Sequence, residues 1–239
     1  MAKPNFLIVG VAKAGTTSLY HYLKEHPDVF MPDKKEIHFF DRYHNRGANW
    51  YLNRFRGGDE TNKPAVGEAT PIYCFDPICM ERIHNFDPTM KIIIALRNPT
   101  ARAISHFWMS KMAQQEPLGM LEAMRRDESV LKPHIAPWQT YKSRGLYAEQ
   151  LDRIYQYFPK EQVHILQLEN LELNPAECIA GLCFFLDIQP KLNFEHHFVG
   201  YKGTDDPEAI QILNDYYQQP NRELLDRYGI FYTSYVDIF

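Results

Sequence analysis

The sequence predicts an α/β fold: three layers, with a mostly parallel central sheet of four to five strands flanked by helices. Three observations carry this. Residues 6–18, FLIVGVAKAGTTS, read as a buried strand running through a glycine loop into the start of a helix. Residues 91–96, KIIIAL, are apolar on both faces, as expected of the middle of a parallel sheet, and Asn98-Pro99-Thr100 then opens a helix. Strand-like and helix-like segments alternate along most of the chain. With 239 residues and 45% hydrophobic content, the chain can bury one sizeable core, and a single domain over 1–239 is expected.

Taken in order, the first helix covers 16–25 on Leu19, Tyr20 and Leu23, and stops before His26-Pro27, where proline disfavours continuation. Residues 44–63 are polar and form a surface excursion with a short helix, anchored by Trp50, Tyr51 and Phe55. A short strand at 65–69 ends at a turn and leads to a helix over about 77–86. The helix after Arg97 runs through Ser105 and Met109. Between 114 and 141, Pro117, Gly119, Pro133 and Pro137 break any long helix. Gly145 precedes an amphipathic helix, 146–158, and a strand at 163–168 alternates cleanly enough to lie near a sheet edge. Asn174-Pro175 starts a helix expected to carry Leu182, Phe184, Phe185 and Leu186 into the core. Residues 196–207 form a glycine-punctuated loop that includes His196-His197, and the helical region 207–228 is expected to be interrupted at Pro220.

Composition narrows the function. A net charge of −4 and a pI near 6.2 leave no face-wide cation excess for coating nucleic acid. No apolar run approaches the roughly 20 residues of a membrane span, and Met1-Ala-Lys-Pro leads directly into the first strand, so a cytoplasmic protein is expected. Cys74, Cys79, Cys178 and Cys183 lack a Cys-x-x-Cys hook and read as reduced thiols, with no metal site. Oligomeric state has no signature.

The chemistry begins at the glycine loop. Gly10-x-x-x-x-Gly15 followed by Thr16 and Thr17 resembles a nucleoside-triphosphate P-loop, making the expected fold P-loop-like, but its lysine, Lys13, precedes the second glycine by two residues. Backbone N–H groups at a helix N-terminus hold one phosphate, and Arg97 with Ser105 can hold a second. A nucleotide hydrolase usually ends a strand with a magnesium-binding aspartate, whereas this strand ends in a cation. Two phosphate sites without a metal site describe a nucleotide phosphorylated at both ends. Lys13, Arg97 and Lys202 are expected at the carboxyl ends of the strands. In KKEIHFF, residues 34–40, an extended backbone turns Glu36 and His38 to the same side. The pair is either a solvated edge beside a Phe39-Phe40 anchor or a carboxylate and histidine projecting near the loop. Lys34-Lys35 reads as a solvated pair. His106 and Trp108 either pack in the core or line an acceptor pocket.

GVAKAGTTSL at 10–19, KEIHFF at 35–40, GEATP at 67–71, Arg97-Asn-Pro with Ser105, and GYKG at 200–203 together resemble the sulfotransferases that use 3'-phosphoadenylyl sulfate. The resemblance is closest to the branch with the heparan sulfate glucosaminyl sulfotransferases and bacterial relatives. It implies that Lys13, Ala14, Gly15, Thr16, Thr17 and Ser18 surround the 5'-phosphosulfate, that Arg97 and Ser105 hold the 3'-phosphate, and that Tyr201, Lys202 and Gly203 form a late cofactor loop. It also implies Glu36 as general base, with His38 orienting it, contacting the acceptor, or serving as the base itself. The implied reaction moves a sulfuryl group to a hydroxyl or amine and releases adenosine 3',5'-bisphosphate, without a metal. Ala69 stands where the heparan enzymes have lysine and Thr204 where they often have arginine, so the acceptor is left as a small molecule or a glycan. The rival readings are a P-loop small-molecule kinase, opposed by Lys13's displacement and Arg97, and a non-catalytic nucleotide-binding module, opposed by retention of both Lys13 and Glu36.

Overall fold

The computed structural model describes residues 2–57, 62–126, 128, 139–191 and 203–235. They fall into two units: Met1–Leu96 with Leu151–Phe198, and Arg97–Gln150 with Val199–Phe239.

The first unit holds a five-stranded sheet in the order β2-β3-β1-β4-β5, every pair parallel. Its strands are β1 (Phe6–Gly10), β2 (Val29–Phe30), β3 (Ala65–Ala69), β4 (Lys91–Leu96) and β5 (Val163–Gln167). All five residues of β1 and of β3 are buried, as are five of six in β4, which explains their near-continuous apolar sequence. β5 shows mostly half-buried residues and lies at the edge, as its alternation predicts. The two-residue β2 carries too little pattern to be read from sequence. β1 is central, with β3 on one side and β4 on the other, so its carboxyl end is where connections diverge in opposite directions and where such sheets place ligands. Helix α1 (Thr16–Glu25) follows β1, α2 (Ala48–Leu52) is the short helix of the surface excursion, and α3 (Cys79–Phe86) precedes β4.

The second unit is helical. Helix α4 (Pro99–Met112) starts under an Asn98 cap whose side chain accepts from the Thr100 and Ala101 amides; α5 (Met120–Arg125) is short and begins just after Pro117 and Gly119, while Pro133 and Pro137 lie outside the described residues. Helix α6 (Tyr147–Tyr157) begins in this unit and ends in the first. In the first unit, β5 is followed by α7 (Leu168–Leu173) and α8 (Pro175–Phe185); the second unit ends in α9 (Pro207–Tyr228). Ala103, Phe107, Met124, Leu213 and Tyr217 form its core, and Gly145 has no room for a Cβ, which would lie 2.5 Å from the Tyr217 hydroxyl.

Two sequence expectations fail. Helix α9 passes through Pro220 without interruption: the lost backbone bond is outweighed by buried side chains on either side, Tyr217 one turn before and Leu224 one turn after. Phe184 is 72% exposed rather than in the core, because Leu182 and Leu186, four apart, take the buried face of the α8 end and Phe184 falls opposite them. All four cysteines are free, three buried and Cys178 half-buried. His196 and His197 lie outside the described residues.

A Cβ on Gly67 in β3 would sit 2.5 Å from the ring of Phe6, which is itself fully buried in β1. Gly67→Ala is therefore expected to destabilise the protein by about 1–3 kcal/mol through overpacking, read as a lower urea midpoint at unchanged slope.

Candidate active site

The glycine loop is pinned on both sides. A Cβ on Gly10 would lie 2.1 Å from Cys74 Sγ, so the close approach there requires glycine. The Val11 amide donates to the Ala95 carbonyl of β4 at 2.7 Å, while the Thr70 and Cys74 amides donate to Ile8 and Val9 of β1 at 3.1 and 3.0 Å. Beyond this anchor Lys13 and Gly15 both take left-handed backbone, φ 76° and 81°. Gly15 is the N-cap of α1 and, having no side chain, makes no side-chain cap of its own to the first turn of Thr16, Thr17 and Ser18. Ala14, Thr16 and Ser18 are buried, Lys13 is half-buried and Thr17 is exposed. A helix N-terminus with hydroxyls and a loop lysine is suited to one anionic group.

The segment after β2 supplies the second cluster. Glu36 and His38 do meet, Nε2 to Oε2 at 3.3 Å, but not through the extended backbone expected: His38 has φ 57°, and this left-handed turn brings the pair together. Ile37, Phe39 and Phe40 are buried on the other side, so anchor and projecting polar pair coexist. His38 Nδ1 lies 2.8 Å from Asp41 Oδ2, a partner that sequence reading missed; its only signal is a carboxylate three residues beyond the histidine. With both ring nitrogens facing carboxylates, the imidazole is a doubly protonated cation. Burial works against that charge, yet the bonds to Asp41 and Glu36 outweigh it and raise the pKa to about 9. Burial likewise works against ionised Glu36, but His38 and Lys35 hold its pKa below the usual value. Lys35 is not a solvated residue: its side chain is 16% exposed and bonds Glu36 at 3.3 Å, whereas Lys34 is exposed.

Both clusters lie in the first unit, the loop after β1 and the Glu36 segment against Thr70, which follows β3; β1 and β3 are adjacent parallel strands, so both sit at their carboxyl ends.

Arg97, Ser105 and Gly203 belong to the second unit. The Arg97 carbonyl accepts from the Tyr147 hydroxyl at 2.7 Å, and Asn98 donates to the Thr233 carbonyl at 2.9 Å. Ser105 is half-buried on α4 and shares a face with Trp108, three residues on. A Cβ on Gly203 would come within 2.3 Å of the Trp108 ring, whose Nε1 donates to Asp205 at 2.6 Å. Trp108 thus fastens the 203–205 strip to the face of α4 that carries Ser105. His106 is a core residue, its ring 5.0 Å from that of Tyr141. Tyr201 and Lys202 lie outside the described residues.

Because the His38 pKa is raised above its ordinary 6.5, its protonation favours the folded state: the contribution is complete below that value and is lost as pH rises through about 9. The stability difference between the natural protein and His38→Asn should therefore be largest below pH 6.5, on the order of 2–3 kcal/mol, and shrink toward pH 9.5 in paired denaturation curves.

Residues 3–199 match the family model described as the sulfotransferase domain. A sulfotransferase from Alicyclobacillus acidocaldarius, known from its crystal structure, is 31% identical with a TM-score of 0.82, covering 95% of this chain and 96% of that one. Mouse heparan sulfate glucosamine 3-O-sulfotransferase 6 is 33% identical over 198 residues, 82% of this chain and 55% of its own length. A membrane-associated sulfotransferase of Dictyostelium discoideum is 26% identical over 302 residues, 92% of this chain and 64% of that protein. The chain thus spans between about a quarter and two-thirds of the length of the curated relatives it matches. With a parallel sheet, a glycine loop at the divergence point of its connections and a family model matched across residues 3–199, the chain belongs to the sulfotransferase domain family.

Proposed function

We propose that this chain moves a sulfuryl group from 3'-phosphoadenylyl sulfate to a hydroxyl or amine, releasing adenosine 3',5'-bisphosphate, and that 1–239 acts as one catalytic domain. The observation that carries this reading is the pairing, at the carboxyl ends of β1 and β3, of an anion-binding loop containing Lys13 with an ionised carboxylate, Glu36, held by a protonated histidine.

In this reading the acceptor oxygen or nitrogen attacks sulfur in line with the departing phosphate. The bond from sulfur to the bridging oxygen breaks, its electron pair passes to the phosphate, and the acceptor proton goes to Glu36. Lys13 and the first-turn amides of α1 meet the charge that grows on the leaving oxygen, a role typically worth about 10²- to 10³-fold in rate. His38 is assigned to positioning rather than to the base: with both nitrogens donating and a pKa of about 9, it has no lone pair to offer near neutrality. Arg97 and Ser105 are assigned to the 3'-phosphate, and the loop of Tyr201, Lys202 and Gly203 to closing over the nucleotide. A glycan acceptor is supported by the heparan sulfate enzymes among the relatives; Ala69, buried at the end of β3, puts no cation where the resemblance implies a lysine.

Calorimetry should find adenosine 3',5'-bisphosphate binding without magnesium; tight magnesium-dependent ATP binding with no bisphosphate binding would refute the donor. With the best acceptor from a panel of phenols, alcohols and glycans, and labelled donor, Glu36→Gln should keep bisphosphate affinity and lose about 10²- to 10⁴-fold in turnover. Near-natural turnover would remove Glu36 from the base role. Lys13→Ala should lower turnover by about 10²- to 10³-fold.

A further inference from the structure

Glu68 lies in β3, 1% exposed, and forms no ion pair among the described residues. Three hydroxyls donate to its carboxylate: Thr70 to Oε2 at 2.6 Å, and Tyr73 and Tyr51 to Oε1 at 2.8 and 3.3 Å. Two of those hydroxyls also accept. Thr70 Oγ1 receives the Ile37 amide at 3.2 Å and the His38 amide at 3.5 Å; the Tyr73 oxygen receives the Phe39 amide at 2.9 Å and the Phe40 amide at 3.5 Å. Four successive main-chain N–H groups, 37 to 40, therefore end on two hydroxyls whose hydrogens are both claimed by one carboxylate.

We propose that Glu68 is a positioning residue for the reaction: through Thr70 and Tyr73 its carboxylate fixes the main chain of residues 37–40, and with it the contact between Glu36 and His38. The proposal rests on reading Glu36 as the base. A hydroxyl has one hydrogen and two lone pairs. Each lone pair of Thr70 and Tyr73 faces an amide only while the hydrogen is drawn the other way, and an acceptor-only carboxylate draws both. The orientation matters because His38 sits in left-handed backbone, which needs its amide neighbours held if it is to persist. Asp41 extends the same segment, and the Arg82 guanidinium secures it from outside by donating to the Phe40 and Asp41 carbonyls at 2.7 and 3.2 Å.

An amide at position 68 cannot replace the carboxylate although its shape is the same. Its NH₂ must face either Thr70 or the two tyrosines. Facing Thr70, it adds a third donor to an oxygen with two lone pairs; facing the tyrosines, it does the same to Tyr73. Either way one hydroxyl turns and an amide of 37–40 loses its acceptor. Tyr51 is the internal control, since its hydroxyl meets Glu68 and none of the 37–40 amides is bonded to it.

The test is the titration of the His38 imidazole, followed by ¹⁵N-detected NMR in the full chain. His38 is faced by Glu36 and Asp41 within hydrogen-bond reach, with Glu68 as a further negative charge and Lys35 and Arg42 paired to those two carboxylates. In the natural protein the midpoint is expected near 9. Thr70→Val and Glu68→Gln should each lower it by about one unit or more, as the segment drifts and the contact to Glu36 loosens. Thr70→Ser should restore it and Tyr51→Phe should leave it in place, with bisphosphate affinity retained throughout. A folded Thr70→Val protein with an unmoved midpoint, or a Tyr51→Phe protein shifted as far as Thr70→Val, overturns the proposal. If Glu68→Gln fails to fold, the threonine series still decides. The titration needs no turnover, so loss of Glu36's base role would appear in its own turnover assay, separately from these results.

Discussion

A carboxylate sealed inside a parallel sheet must be surrounded by donors or lose its charge. Glu68 meets this constraint, and much of the first unit is arranged to satisfy it. Burial pushes its pKa up to about 7 despite the three hydroxyls, so the carboxylate is fully ionised only above neutrality, the range in which His38 titrates. The donors come from three places in the chain: the turn after β3, the start of the following segment, and Tyr51 in α2. The surface excursion is thereby tied to the sheet by a polar bond as well as by the stacking of Tyr51 on Phe39, ring centroids 4.4 Å apart. Through Thr70 and Tyr73 the same charge orders residues 37–40, a segment without regular secondary structure whose amides have no ladder partners.

The charges nearer the surface form a graded series. Asp41 is 6% exposed on its side chain, His38 19% and Glu36 32%, so one imidazolium links a buried carboxylate to a partly open one. The arrangement costs Glu36 intrinsic basicity, because the cation that orients it also stabilises its ionised form. It gains in return a carboxylate that is ionised across the neutral range and aimed by two donors, Lys35 and His38. For transfer to an acceptor whose proton becomes acidic only as the new bond to sulfur forms, fixed direction matters more than ground-state basicity.

The parts legible in the sequence were those set by local pattern. The strand at 91–96 and the helix at 16–25 follow from an apolar run and a proline stop, and the structure reproduces them to the residue; the strand read at the start of 6–18 is β1. Proximity of Glu36 and His38 was foreseen, though for the wrong backbone reason, since a single left-handed residue leaves no trace in periodicity. Asp41, Thr70 and Tyr73 escaped because their importance lies in hydrogen bonds between segments more than 30 residues apart, apart from Asp41, whose near neighbour His38 was in view. Phe184 was misjudged because residue type was weighed without the face of the helix on which it falls, and Pro220 because its backbone cost was weighed without the buried side chains that flank it in α9.

The displaced lysine can now be placed in physical terms. In a P-loop the lysine follows the second glycine and lies in the helix; here the positions after Gly15 are Thr16, Thr17 and Ser18, and the cation lies back in the loop. Its left-handed backbone, shared with Gly15 two residues on, turns the chain sharply before the helix begins. The two kinds of donor are therefore separated: amides and hydroxyls gather at the helix end, while the full charge stands on the strand side. A nucleotide whose terminal phosphates carry a metal needs its cation beside the helix, next to the metal-bridged oxygens. In the proposed reaction the leaving group departs without a metal and needs its cation where the bond breaks, the role proposed for Lys13 in the loop between β1 and α1.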